Sequence, residues 1–224
     1  MSGHPLLLGH RGARCFPDVP ENTFAAFDRA LQAGCDGFEF DLRLTACGRA
    51  IICHDEKVQG LTIAEASCGQ LEGLPSLADV LTRYVQSAFL DIELKVPGLE
   101  SEVLLALHEH PPERGYVVSS FLPEVLLELR ARSADVSLGF ICDRNKNLDR
   151  WRELPVEYVI PQHELVTSHL VEAIHGAGRT MLIWTVNDTN VMRRLADWGV
   201  DGLISDDPQV LARTFLKGGP AALL

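Results

Sequence analysis

The sequence predicts one α/β domain folded as a (β/α)8 barrel. Strand-like and helix-like segments alternate along the chain, which is typical of a parallel sheet with helical crossovers. Nine strand candidates occur, and one of them follows its predecessor too closely to run parallel to it. The length of 224 residues and the hydrophobic fraction of 46% fit one barrel-sized domain, to which we assign residues 1–224.

Each element is justified by its local pattern. The strand candidates cover residues 6–10, 37–42, 50–54, 89–95, 116–120, 136–141, 157–161, 180–186 and 201–205. Apolar stripes with helical spacing cover residues 77–84, 103–110, 124–132, 168–177 and 191–198. A further helix is predicted between the first two strands, where Asn22 or Thr23 can cap its start and Gly34 can end it.

The second and third strand candidates are predicted to form an antiparallel hairpin. Only residues 43–49 separate them, whereas a parallel connection needs about a dozen residues or more. Without the hairpin strand, eight strands with helical connections remain. A turn near residues 46–48 places His54 beside Phe40, and therefore between Glu39 and Asp41.

Two strand candidates carry carboxylates on one face. Side chains alternate along a strand, so Glu39 and Asp41 share one face, and Asp91, Glu93 and Lys95 share a face of another strand. Gathered carboxylates repel one another unless a cation compensates them. Oxygen ligands without a nearby thiol favour Mg²⁺ or Ca²⁺ over Zn²⁺, with Mn²⁺ as a further candidate. Rows of solvated charge on an exposed sheet face are the alternative.

These polar residues are predicted to meet at one rim, because active sites of such barrels lie at the C-terminal ends of the strands. His10 ends the first strand, and Glu93 and Lys95 end the third strand of the barrel. Trp184 lies near the end of the seventh strand, and Asp206 follows the eighth. The sequence therefore predicts a polar site at this rim.

Composition excludes several classes of partner. The formal charge of −11 argues against a nucleic-acid partner and against electrostatic docking on anionic lipid. No transmembrane segment and no signal peptide is found, so we expect a cytoplasmic location. The six cysteines contain no C-x-x-C pair and are interpreted, in a cytosolic chain, as free thiols. The oligomeric state is left open.

Eight short motifs, each weak alone, occur in an order that covers nearly the whole chain. They are His-Arg-Gly at 10–12, Pro-Glu-Asn-Thr at 20–23, Glu-Phe-Asp at 39–41, His-Asp at 54–55, Glu-Leu-Lys at 93–95, Ser-Phe at 120–121, Trp-Thr-Val-Asn at 184–187 and Val-Asp-Gly-Leu-Ile-Ser-Asp-Asp-Pro at 200–208. Together they resemble the glycerophosphodiester phosphodiesterase family, within the phospholipase C-like phosphodiesterase barrels. The resemblance implies a TIM-type barrel and metal-dependent hydrolysis of a glycerophosphodiester to glycerol 3-phosphate and an alcohol.

The resemblance also implies the roles of individual residues. Glu39, Asp41 and Glu93 match the metal ligands of the family. His10 and His54 match its acid/base pair. In the related phospholipase-like mechanism, the 2-hydroxyl of the substrate attacks phosphorus, and water then opens the cyclic phosphate.

Four further residues are expected to bind substrate. Arg11 and Lys95 match the phosphate contacts of the family. Glu21 lies in the Pro-Glu-Asn-Thr motif and is expected at the site, with a plain first-turn helix position as the alternative. Trp184 is expected to form a platform for the substrate, with an ordinary core position as the alternative.

The chain departs from the family pattern after His54. Residues 56–62 lack the usual Arg-Thr-Thr, and the insertion that follows is shortened to about residues 57–75. This leaves recognition of the head group open. Two other functions remain as alternatives: a lysophospholipase D-like enzyme acting on lysolipids, which would need an apolar groove near the rim, and a non-catalytic binding module.

Overall fold

Eight parallel strands close into a barrel, which confirms the predicted fold class. The structure is a computed structural model and describes residues 4–71 and 73–216. The strands are β1 (Leu6–Gly9), β2 (Gly37–Leu44), β3 (Ala50–Ile52), β4 (Lys57–Val58), β5 (Leu61–Thr62), β6 (Phe89–Leu94), β7 (Tyr116–Ser120), β8 (Leu138–Cys142), β9 (Tyr158–Pro161), β10 (Thr180–Ile183) and β11 (Gly202–Ser205). The ring runs β1-β11-β10-β9-β8-β7-β6-β2 and returns to β1.

Helices connect successive strands of the ring, and one further helix follows the last strand. They are α1 (Phe24–Ala33), α2 (Leu77–Tyr84), α3 (Glu100–Glu109), α4 (Pro123–Arg132), α5 (Asn145–Leu148), α6 (Ser168–Gly176), α7 (Thr189–Asp197) and α8 (Pro208–Phe215). The short α5 and the terminal α8 were not predicted. The helix α8 carries a clear start signal, because the carboxylate of Asp207 accepts hydrogen bonds from the backbone N–H groups of Gln209 and Val210.

The predicted hairpin is confirmed with its register. Strand β3 pairs antiparallel with β2, with Leu42 opposite Ile52. The backbone N–H of Cys53 then donates to the carbonyl of Asp41 at 3.0 Å, and continuing this register places His54 opposite Phe40. A residue from outside the ring therefore reaches the acidic face of β2.

Helix α1 and strand β2 show how the core fixes the acidic face. Thr23 caps the helix and Gly34 ends it in the left-handed conformation, with φ of 102°. Phe27 stacks on Phe38 with ring centroids 4.2 Å apart. Phe38 and its apolar neighbours on β2 pack outward against the helix. Because side chains alternate along a strand, Glu39 and the other residues on its face of β2 must point into the barrel interior.

The shortened insertion is a small folded unit. Strands β4 and β5 pair antiparallel, and two 3₁₀ turns, Ile63–Glu65 and Cys68–Leu71, follow them. Residue 72, within the predicted insertion, lies outside the described residues, as do residues 1–3 and 217–224 at the ends of the predicted domain. The assignment of the chain to one domain stays a prediction.

One prediction about the cysteines is wrong. Cys47, in the turn of the β2–β3 hairpin, forms a disulfide with Cys68 of the insertion, with their Cα atoms 6.1 Å apart. Sequence spacing could not reveal this pair, because the two residues are brought together by the hairpin and the folded insertion. Cys15, Cys35 and Cys53 are free, as is Cys142. The expected cytoplasmic location stays a prediction.

The barrel interior is divided into an apolar and an acidic side. Buried apolar side chains line the part formed by β7 to β11, among them Val117, Ile141 and Ile204. The carboxylates lie on β2 and β6, which are adjacent and parallel, with Asp41 opposite Glu93. Within residues 4–71 and 73–216, none of the helices combines the length and the apolar character that crossing a membrane requires.

Candidate active site

Three carboxylates meet at the C-terminal end of β2 and β6, as the alternation of side chains predicted. One oxygen from each of Glu39, Asp41 and Glu93 lies within 4.8 Å of the others. All three residues are buried. The strand register explains the cluster, because Asp41 is the direct neighbour of Glu93 across the sheet.

The cluster fits a hard divalent cation. Glu39 Oε1 is buried and has no hydrogen-bond partner among the described residues. Asp41 Oδ1 and Glu93 Oε1 are also buried, and both lie against the ammonium of Lys95, at 3.3 Å and 2.7 Å. Buried carboxylate oxygens normally find a partner, since leaving them unpaired costs free energy. Three such oxygens converging without a thiol are the donor set that Mg²⁺ or Ca²⁺ prefers.

The charges of the cluster are strongly perturbed. Burial, together with the charges of Asp41 and Glu93, raises the pKa of Glu39 well above its ordinary value. Burial and Asp41 also raise the pKa of Glu93 to about 7, although Lys95 acts in the opposite direction. Burial raises the pKa of Asp41 as well, but Lys95 and Arg11 outweigh it and hold that pKa below its ordinary value. Ionisation of all three carboxylates therefore calls for additional positive charge.

His10 is held by a network that the sequence analysis did not assign. Its Nδ1 lies 2.6 Å from Oδ1 of Asp206, whose other oxygen accepts a hydrogen bond from Asn187 Nδ2 at 2.7 Å. Burial raises the pKa of Asp206, but the hydrogen bond and charge of His10 outweigh burial and lower it to about 2. Because this carboxylate can only accept, His10 Nδ1 carries the proton and Nε2 faces the cavity, 3.8 Å from Glu39 Oε2.

His54 reaches the cavity from the other side, on the chain that follows β3. Its Nδ1 lies 2.8 Å from Oδ1 of Asp55. Asp55 is exposed, with 77% of its side chain open to solvent. Burial lowers the pKa of His54 below its ordinary value, and the hydrogen bond to Asp55 only partly opposes this. The two histidines therefore have similar partners but different surroundings.

Arg11 has both its backbone and its side chain in the site. Its backbone N–H donates to Glu39 Oε2 at 2.9 Å, and its φ of 50° is rare for a residue other than glycine. Its guanidinium lies 3.3 Å from Asp41 and pairs with Glu21 at 2.7 Å. Glu21 also pairs with Arg14 and is absent from the cavity lining. Glu21 thus supports Arg11, and its expected direct contact with substrate stays a prediction.

Lys95 forms ion pairs with two carboxylates of the cluster. Its Nζ lies 2.7 Å from Glu93 Oε1 and 3.3 Å from Asp41 Oδ1. Burial lowers the pKa of Lys95, but Glu93 and Asp41 outweigh it and raise the pKa above its ordinary value. This ammonium stays charged beside the cavity.

A cavity of about 110 Å³ joins these groups at the rim. Both histidines, Arg11, Lys95, Glu39 and Glu93 line its polar side. Phe121 and Trp184 form part of the apolar side, with ring centroids 5.5 Å apart at 85°. Trp184 Nε1 donates to the carbonyl of Ile160 at 3.0 Å, which fixes its ring at the wall.

Asp91 lies at the bottom of the cavity, one layer below Glu93. It is 1% exposed and accepts a hydrogen bond from the hydroxyl of Ser119 at 2.5 Å. Burial raises its pKa to about 7. Its depth follows from the two-residue spacing on β6, which places Asp91 on the same face as Glu93 and one layer deeper.

Comparison with known proteins decides the family. Residues 10–76 and 72–210 match the model of the Glycerophosphoryl diester phosphodiesterase family. The chain belongs to this family. Membership confirms the predicted enzyme class and argues against the alternative of a non-catalytic binding module.

Relatives and solved structures agree with this assignment. The chain is 30% identical to a glycerophosphodiester phosphodiesterase of Caldanaerobacter subterraneus subsp. tengcongensis, over 96% of this chain and 99% of the relative. It is 29% identical to one of Bacillus altitudinis, over 90% and 94% of the two chains. Among solved structures, a phosphodiesterase of Oleispira antarctica in complex with the product sn-glycerol-3-phosphate is similar in fold. Its TM-score is 0.83 at 23% identity, with coverage of 95% and 97%.

Proposed function

We propose that the protein hydrolyses glycerophosphodiesters to glycerol 3-phosphate and an alcohol, with a divalent cation and two histidines. The observation that carries this proposal is the cluster of three buried carboxylates, two of which, Glu39 and Glu93, line the same cavity as His10 and His54. Glu39, Asp41 and Glu93 would hold the cation. When bound, it supplies positive charge that neutralises the phosphoryl oxygens.

Arg11 and Lys95 bind the phosphate in this proposal. Both line the cavity and both remain cationic, because each is flanked by carboxylates. Fixed positive groups stabilise the negative charge that develops on phosphoryl oxygens in the transition state. Glu21 keeps the guanidinium of Arg11 in place through the ion pair described above.

His10 is the general base of the first step. With Nδ1 occupied by Asp206, its Nε2 carries a lone pair toward the cavity, as an acceptor of the proton of the 2-hydroxyl. The 2-hydroxyl oxygen then bonds to phosphorus while the bond from phosphorus to the leaving oxygen breaks. An internal nucleophile fits this cavity, because neither serine nor cysteine is among the described residues that line it.

His54 is the general acid of that step and gives a proton to the leaving oxygen. Its lowered pKa makes it a ready proton donor once it is charged. In the second step the roles reverse. His54 takes a proton from water, the water oxygen bonds to phosphorus, and His10 returns its proton to the 2-oxygen as the ring opens.

A 2-deoxy analogue of the substrate tests the internal nucleophile. We expect its hydrolysis to be at least about 10²-fold slower than that of the parent, because an intramolecular attack is lost. Inhibition constants measured with both compounds provide the control, since the analogue should still bind. Hydrolysis of the analogue at the parent rate would contradict internal attack and favour water as the nucleophile.

Removal of the cation tests the carboxylate cluster. Chelation should abolish activity, and Mg²⁺, Mn²⁺ or Ca²⁺ should restore it in the wild-type protein but less well in Glu39→Gln. Because the raised pKa values of Glu39 and Glu93 mean that protons compete for these oxygens, the affinity for metal should rise as pH increases toward about 7 and beyond. Calorimetry in buffers of different ionisation enthalpy measures the protons released. Full turnover of the stripped protein would contradict the metal requirement.

The apolar side of the cavity favours a second candidate, a lysophospholipase D-like activity. Phe121, Ile141 and Trp184 offer a surface that an acyl chain could contact. Turnover of a lysolipid compared with glycerophosphocholine separates the two candidates. A higher kcat/KM for the lysolipid, lost in Trp184→Ala, would support the second one.

A further inference from the structure

A second groove, of about 300 Å³, lies on the same rim, and we call it the insertion groove. Its inner side is formed by the end of β2 at Arg43, and one wall by the insertion at Glu56 and Ile63. The opposite wall is Val96, in the loop after β6. The groove exists because the insertion stands beside the barrel and leaves open space between itself and this loop.

The insertion groove begins next to the proposed general acid. Arg43 follows Asp41 on the inward face of β2, and its Nε donates to the backbone carbonyl of His54 at 2.7 Å. Val96 directly follows Lys95, which lines the catalytic cavity. The groove therefore lies on the side of the site where His54 would protonate the leaving oxygen.

Three polar groups of the groove have no partner within the described part of the protein. Across residues 4–71 and 73–216, the terminal nitrogens of Arg43 and the carboxylate of Glu56 form no hydrogen bond or salt bridge, and the two side chains do not pair with each other. The hydroxyl of Thr62 is likewise without a hydrogen bond in that part of the chain. The groove thus offers donors and acceptors together, between aliphatic walls.

The combination of a cationic and an anionic side chain in the groove favours a neutral ligand. An alcohol with a quaternary ammonium group would meet the guanidinium of Arg43, and an alcohol with a carboxylate would meet Glu56. Several hydroxyl groups on one small molecule can accept from Arg43 and donate to Glu56, since each hydroxyl does both. Its C–H surface can lie against Ile63 and Val96.

We infer that the insertion groove binds the leaving alcohol of the substrate and that this alcohol is a neutral polyol. The inference rests on the proposed function, because it takes His54 as the group that protonates the leaving oxygen. It assigns substrate selection to Arg43, Glu56 and the walls of the insertion groove, none of which holds the phosphate or the cation.

Three diesters of glycerol 3-phosphate test the inference, with glycerol, choline or methanol as the leaving alcohol. The wild-type protein should show a kcat/KM for the glycerol diester about tenfold above that for the choline diester, as expected for one or two added hydrogen bonds. A preference for choline would overturn the choice of a polyol. Cleavage of none of the three diesters would overturn the proposed function itself.

Variants then locate the preference in the insertion groove. In Glu56→Ala, and in Ala64→Trp, which fills the groove from its exposed wall, the ratio of kcat/KM for the glycerol diester to that for the methyl diester should fall about tenfold. Glu65→Ala is the matched control, because Glu65 is an exposed carboxylate of the same insertion outside the groove lining, and its ratio should not change. An unchanged ratio in Glu56→Ala and Ala64→Trp, with all three diesters still cleaved, would overturn the inference and leave the proposed function standing.

Discussion

His10 and His54 face the same cavity but are held in different ways. His10 ends a strand of the barrel, is 8% exposed, and bonds to an Asp206 that Asn187 holds in turn. His54 lies outside the ring, and its partner Asp55 is exposed to solvent. One histidine thus has a fixed position set by the barrel, whereas the other belongs to a hairpin and an insertion.

In the proposed mechanism, this difference corresponds to a division of roles between the two histidines. The attacking hydroxyl belongs to the glycerol moiety, which is common to all substrates of the proposed class, so its base can be rigidly placed. The leaving alcohol varies, and the acid that serves it lies on an appended segment beside the insertion groove. Rigid and adaptable parts of the site therefore correspond to the constant and variable parts of the substrate.

Removing each imidazole should give the largest effects. We expect kcat to fall by up to about 10⁴-fold in His10→Ala and by at least about 10²-fold in His54→Ala. The losses are large because each variant lacks a proton-transfer group in both steps. Steady-state kinetics with a glycerophosphodiester measures this, and His108→Ala, at an exposed position of α3, is the control. Either variant with near-normal kcat would remove that histidine from the acid/base pair.

A diester with an activated leaving group sharpens this comparison. A nitrophenolate needs no proton to leave, so His54→Ala should release it in a single turnover at most of the wild-type rate, whereas His10→Ala should not. Hydrolysis of the cyclic phosphate in the second step should stay slow in both variants. Equal recovery in both variants would mean that the roles are not divided as proposed.

The aspartates should show a smaller, unequal effect. Asp206→Asn should lower kcat by about 10-fold to 10²-fold, since an amide can donate to Nδ1 and turn His10 into the wrong tautomer. Asp55→Asn should cost less than about threefold, because water can replace an exposed partner. The pH profiles of kcat for the two variants provide the measurement. A similar loss in both would contradict the contrast between the two histidines.

The disulfide should affect stability more than activity. Cys47 and Cys68 are 21 residues apart, so Cys47→Ser should lower the free energy of unfolding by about 3 kcal/mol while kcat changes little. Cys15→Ser, at an exposed free cysteine, is the control in the same denaturant titrations. A large fall in kcat without loss of stability would show that the cross-link positions His54.

Much of the fold could be predicted because β2 and β6 obey one simple alternation. Glu39 and Asp41 must turn away from the helices once Phe38 is buried against them, and the short hairpin turn then fixes His54. The disulfide and the role of Asp206 could not be predicted in the same way. Each depends on residues far apart in the chain, and Asp206 reaches His10 across a separation of 196 residues only when the barrel closes.

Glu39 uses its two oxygens for different purposes. Oε1 is free for a cation, whereas Oε2 holds the backbone N–H of Arg11 in an unusual left-handed turn. A single carboxylate would therefore connect a bound ion to the turn at Arg11, the residue after His10. Hydrogen exchange at the backbone amide of Arg11 would therefore report on metal binding. Exchange would be slower when a bound ion holds the carboxylate of Glu39 in place, and faster when the ion leaves.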